Sequence, residues 1–126
     1  MKPTVETQFM LVQENPASKA SNGPMQVELE IAYASNTSRC TATVYPDGSS
    51  QLSIDGSLSG PGLPNLYGAA HRFVFYRDGT TKSCTLDSTT NQTLPDTGPT
   101  DSSPRVALHV FNGSAQIFYT IVYGSN

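Results

Sequence analysis

The chain has 126 residues and 13.5 kDa, with seven Lys and Arg against ten Asp and Glu, a net charge of −3 and a pI near 5.1. Scattered basic residues on an acidic background exclude the electrostatic footprint of a nucleic-acid binder, and no run of about 20 apolar residues is present to span a membrane. Charged residues make up only 13% of the chain, about half the usual share, so Ser, Thr, Asn and Gly take their place on the polar surface.

Apolar residues recur at every second position in seven or eight short runs and never at helical spacing. The first predicted strand, Thr7 to Gln13, is apolar on both sides, with Phe9 and Leu11 opposed to Met10 and Val12. After a polar loop over 14–24, Met25 to Ala34 alternates most clearly: Val27, Leu29, Ile31 and Tyr33 form a core face, and Glu28 and Glu30 a wet one. Cys40, Ala42 and Val44 continue an inward face as far as Tyr45, where Pro46-Asp47-Gly48 marks a tight turn. Leu52, Ile54, Gly56 and Leu58 hold the register of one following strand, in which Gly56 reads as a bulge or a close backbone crossing.

The loop 59–70 is punctuated by Gly and Pro but presents Leu63, Leu66 and Tyr67. His71 to Tyr76 is an aromatic and β-branched strand, and Arg77-Asp78-Gly79-Thr80 turns it into a partner, Thr81 to Leu86. The stretch 87–104, apolar only at Leu94, reads as a long loop. Arg105 to Phe111 and Ser114 to Tyr123 read as a hairpin closed by Asn112-Gly113, residues that tolerate the positive φ of a two-residue turn. Both faces of these last strands are apolar, Phe118 and Val122 opposing Ile117, Tyr119 and Ile121. They are therefore expected to be central or to sit at a subunit contact, and the apolar surplus points to a homo-oligomer. The fold that follows is one all-β domain over 1–126, an antiparallel sandwich of seven or eight strands, with a small closed barrel as the alternative.

Catalytic signatures are absent from the sequence. It has no glycine-rich phosphate loop, no paired His at metal spacing and no Cys-x-x-Cys, and Gly56-Ser57-Leu58-Ser59-Gly60 misses the nucleophile elbow because Leu58 stands at the serine position. No catalytic residue, metal site or cofactor is expected. Asp87, Asn91, Asp96 and Asp101 offer hard oxygens without a calcium-loop spacing, and His109, within an alternating strand, reads as a surface residue. Asn36-Thr37-Ser38, Asn91-Gln92-Thr93 and Asn112-Gly113-Ser114 match the glycosylation pattern, which a Ser/Thr-rich chain meets by chance.

Cys40 and Cys84 lie on apolar faces. Bridged, they would close a loop of some 45 residues worth about 4 kcal/mol, but the first residues carry no export leader, so free thiols are the expectation and the compartment is left open.

The expected ligand-binding residues are Tyr67, His71, Tyr76 and Arg77, which join the one apolar-tipped loop to the most aromatic strand. Aromatic faces beside a bidentate donor suit sugar rings, whose C–H faces stack while their hydroxyls bond to Asp, Asn and Arg. The leading expectation is a non-catalytic recognition module binding a glycan. The alternatives are a structural or assembly protein, recognisable by a self-complementary apolar interface, and a barrel enzyme or carrier, recognisable by a deep cavity.

Overall fold

Each alternating run becomes a strand, and the apolar half of every run points into the layer between two sheets. The structure, a computed structural model, describes residues 2–12, 24–34, 36–58, 63, 66–88, 90–96 and 103–125. The strands are β1 (Lys2–Val12), β2 (Met25–Tyr33), β3 (Asn36–Val44), β4 (Ser50–Ile54), β5 (Ser57–Leu58), β6 (Ala70–Arg77), β7 (Thr81–Leu86), β8 (Thr90–Pro95), β9 (Arg105–Phe111) and β10 (Ser114–Ser125). They form two five-stranded sheets, ordered β10-β1-β6-β7-β8 and β5-β4-β3-β2-β9, and the pairings are antiparallel. Among the described residues each sheet keeps two open edges, and the fold is a β-sandwich, not the closed barrel.

Val5, Phe9 and Leu11 of β1, Phe73 and Phe75 of β6 and Leu86 of β7 face Val27, Leu29 and Ile31 of β2, Ala42 and Val44 of β3 and Leu52 and Ile54 of β4 in one buried cluster. Cys40 and Cys84 meet there. Their Cα atoms are 6.2 Å apart and they form a disulfide between β3 of one sheet and β7 of the other, within the usual reach of such a bond. The free-thiol expectation is thereby corrected. The inward faces of the two strands are directly opposed, a relation no local pattern shows.

Two other departures have more local causes. Gly56 is no bulge: Asp55 and Gly56, at φ +51° and +85°, form the tight turn between β4 and β5. The stretch 87–104 contains a strand, β8, where a loop was expected. As an edge strand it needs little apolar surface: Leu94 packs on the core, and Gln92 Nε2 donates to Ser57 O at 2.7 Å across to the other sheet.

The C-terminal hairpin is also corrected. β9 pairs with β2 in one sheet and β10 with β1 in the other, so Asn112-Gly113 carries the chain between layers. Both strands are edges, not central strands. Asn112 takes a positive φ of 59° as expected, and its side chain donates to Pro24 O at 3.0 Å. Gly113 serves a different need, because a Cβ there would lie 2.6 Å from the Met25 sulfur.

Candidate functional site

The structure does not bring the four expected site residues together. His71 is 7% exposed, with Nδ1 2.6 Å from Asp87 Oδ2 and Nε2 3.0 Å from Leu66 O. Tyr67 packs against the core and points its hydroxyl at Met25 Sδ, 3.9 Å away; Leu63 and Leu66 are buried beside it. This end of the sandwich is a core cap.

Arg77 lies six residues along β6 from His71, about 20 Å away at strand rise, and is wholly buried. Its Nε and Nη2 each donate to Asp96 at 2.9 Å, Nη1 donates to Ile31 O at 2.9 Å, and the guanidinium lies 4.6 Å over the Tyr33 ring. These contacts tie β6 to β2 of the opposite sheet and leave no group for a ligand. Tyr76 alone faces outward, donating to Asp78 at 2.8 Å. The hard-oxygen donors are likewise dispersed: Asp87 is taken by His71 and the Arg72 backbone N–H, and Asp96 by Arg77. The Asn91 side chain and Asp101 lie outside the described residues.

A different set of residues converges on the outer face of the first sheet. The registers stack three cross-strand rows there: Tyr123, Thr4, Tyr76 and Ser83; Ile121, Glu6, Val74 and Thr85; and Tyr119, Gln8 and Arg72. In β10 the pairing slips between Gln8 and Phe9, which leaves Phe118 as an extra residue, the mark of a β-bulge.

Glu6 is the centre of this face. It is only 9% exposed, although it stands on the outer side of β1, because neighbouring donors converge on it: Arg72 Nη2 at 2.8 Å on one oxygen and the Tyr119 hydroxyl at 2.7 Å on the other. Hydrogen bonds from Arg72 and Tyr119, with a further one from Tyr123, outweigh burial and hold its pKa below the ordinary value of 4.5. The same contacts raise the pKa of Tyr119, whose proton is held by Glu6, and of Arg72. The result is an ion pair flanked by two tyrosines, with Tyr123 49% exposed two residues along β10 from the exposed Ile121. Ring faces, a guanidinium edge and the Gln8 amide share one face of three adjacent strands, over four residues of their length.

The signal was present in the alternation of Thr4, Glu6 and Gln8 against Val5, Thr7 and Phe9. A first strand begun at Thr7 misses it, and nothing local announces that Arg72 and Tyr119, 66 and 113 residues away, complete the cluster.

The fold and this face define a two-sheet antiparallel sandwich with a polar, aromatic outer surface. No family model matches the chain, and no curated protein matches it in sequence. Solved structures do match in backbone. A family 7 alginate lyase in complex with substrate superposes with a TM-score of 0.64 at 13% identity, covering 99% of this chain and 61% of the lyase. The alginate lyase from Klebsiella pneumoniae gives 0.62 at 9% identity, covering 98% of this chain and 60% of its own. Sheep galectin-11, in complex with glycerol, gives 0.57 at 11% identity, with 97% and 90% covered. The chain thus spans about three-fifths of the lyases' length, and identities this low establish a shared fold alone.

Proposed function

We propose that the outer face of the first sheet binds carbohydrate as a recognition surface. The observation that carries this reading is the Glu6–Arg72–Tyr119 cluster, flanked by the exposed Tyr123 ring and by Gln8 and Tyr76. Sugar C–H faces stack on such rings, and vicinal hydroxyls pair with guanidinium, amide and carboxylate groups already held in place by one another. The sandwich it shares with alginate lyases and a galectin supports the same class of ligand.

The test is a titration of acidic and neutral oligosaccharides against the wild-type chain, Tyr123→Ala and Arg72→Ala. Both variants are expected to lose most of the binding; the melting temperature of Tyr123→Ala should stay close to wild type, and that of Arg72→Ala should fall by no more than a few degrees, since it removes one partner of Glu6 and leaves Tyr119. A wild-type chain that binds none of these sugars, or variants that bind as well as wild type, would refute the assignment.

A separate observation favours self-association. Apart from Val12, the exposed large apolar residues among those described lie on β9 and β10: Val110, Phe111, Ile117, Phe118, Ile121, Val122 and Tyr123. These two strands are the adjacent open edges of the two sheets, and a second copy pairing there would cover both. Sedimentation analysis of wild type and Val122→Lys at micromolar concentration decides it; a monomeric wild type ends the idea. The Cys40–Cys84 disulfide supports an oxidising compartment for the mature chain.

A further inference from the structure

The outer face of the second sheet carries a different cluster. Glu28 and Glu30 project from the same side of β2, and His109 of β9 is the direct cross-strand partner of Glu28. One ligand atom from each of the three lies within 4.8 Å of the others. The His109 Nε2 to Glu30 Oε2 separation is 3.6 Å, close to the roughly 3.4 Å expected between two donors each about 2.1 Å from a tetrahedral ion.

Their positions are set by neighbours. Thr41 Oγ1 donates to Glu28 Oε2 at 3.1 Å, and the His109 ring stacks on Phe111 with centroids 5.8 Å apart and planes 21° apart. Arg39 Nε reaches Glu30 at 2.8 Å and Glu28 at 3.4 Å, so a single guanidinium is shared by two carboxylates. Its side chain is 52% exposed. An ion pair that open to solvent is worth little and is readily exchanged for another cation.

We propose that Glu28, Glu30 and His109 form a three-ligand site for a divalent transition metal of the zinc class, with Arg39 as the cation the metal displaces. The donor set argues for this class: an imidazole nitrogen favours zinc-like ions over calcium or magnesium, which take oxygen alone. Three protein ligands leave the fourth tetrahedral position to water. Both elements are regular strands, with β2 held between β3 and β9, so the metal binds a preformed frame. Glu28 keeps its Thr41 hydrogen bond as an outer-shell contact that orients the carboxylate.

The experiment is calorimetric titration of the full chain with zinc chloride, repeated with calcium chloride, on wild type, His109→Gln, Glu30→Gln and Arg39→Gln, each checked for fold by circular dichroism. Wild type is expected to bind one zinc per chain with micromolar affinity and no calcium. His109→Gln and Glu30→Gln should each weaken zinc by on the order of tenfold or more, because one of three coordinate bonds is lost. Arg39→Gln should tighten it several-fold by removing the competitor. His109 is 39% exposed on an edge strand, so its replacement is not expected to unfold the chain. Zinc binding unchanged in His109→Gln, equal affinity for calcium, or no heat with wild type would each overturn the site.

Discussion

On the outer face of the first sheet one carboxylate, Glu6, is shared by two donors, Arg72 and Tyr119. On the second sheet two carboxylates, Glu28 and Glu30, share one guanidinium. The same strand alternation builds both faces, and the difference lies in which side chains the register sets opposite the acid. Donor excess leaves Glu6 buried and satisfied, so the first face offers rings and hydrogen-bond edges to a neutral or weakly charged ligand. Acceptor excess leaves the second face short of positive charge, which suits a cation.

Both faces depend on one shared interior, and the most damaging change is made there. Arg77→Met should leave Asp96, 4% exposed, without the guanidinium that balances its charge. The expected loss is about 3 to 5 kcal/mol, seen as a lower urea midpoint together with loss of zinc and sugar binding in parallel. Survival of either face in that variant would show that the two sheets are held together less cooperatively than their packing implies.

Where the faces join, at the turn from β9 to β10, Gly113→Ala should cost about 1 to 2 kcal/mol, because the new methyl meets Met25, itself 3% exposed in the core. A neutral result would mean that Met25 swings clear and that the turn leaves slack in the interlayer.

The two acids themselves give the sharpest contrast. Glu6→Gln should cost about 1 kcal/mol, since it removes the charged acceptor shared by Arg72 and Tyr119 at a side chain only 12% exposed. Glu30→Gln should cost less, under about 1 kcal/mol: both acids pair with a half-exposed arginine, but among the described residues Glu30 has no second donor comparable to the Tyr119 hydroxyl on Glu6. Thermal melts of the two variants side by side check the order, and a reversed order would break the distinction between the faces.

Acid provides the mildest probe. Glu6 titrates below its ordinary 4.5 for the reasons given above. Asp55 lies below its ordinary 3.8: burial acts to raise it, but hydrogen bonds from Lys82 and Ser38 and from the Arg39 backbone N–H outweigh that. Between the folded and unfolded values the unfolded chain binds more protons, so this stability is complete above the ordinary carboxylate range and is lost as pH falls through the lower folded values. Melting temperature should therefore decline below about pH 4.5, and Glu6→Gln should decline less steeply. A parallel decline would remove Glu6 from the acid response.

Much of the architecture was legible in the alternation. Val27, Leu29 and Ile31 against Glu28 and Glu30 announced both the strand and its wet face, and the runs ending at Asp78-Gly79 and beginning at Thr81 announced a hairpin that the structure contains. The candidate site was legible only in part. Tyr76 lies on the exposed face, but His71 and Arg77, six residues apart along β6, share the inward side and serve the cap and the lock. Polarity alone pointed outward; hydrogen-bond partners from Leu66, Asp87, Asp96 and Ile31 made burial affordable.

By itself the sequence determined the class of fold, because a period of two leaves an apolar row that only a second sheet can cover. It determined turn chemistry as well, at Asn112 and at Asp78-Gly79. Tertiary structure decided which sheet each strand joins, that Cys40 meets Cys84, and which distant side chains surround Glu6 and Glu30. Those choices rest on pairings between residues tens to more than a hundred positions apart, such as Thr7 with Thr120 and Glu28 with His109. Local patterning fixes which way a side chain points, but register between remote strands fixes what it meets.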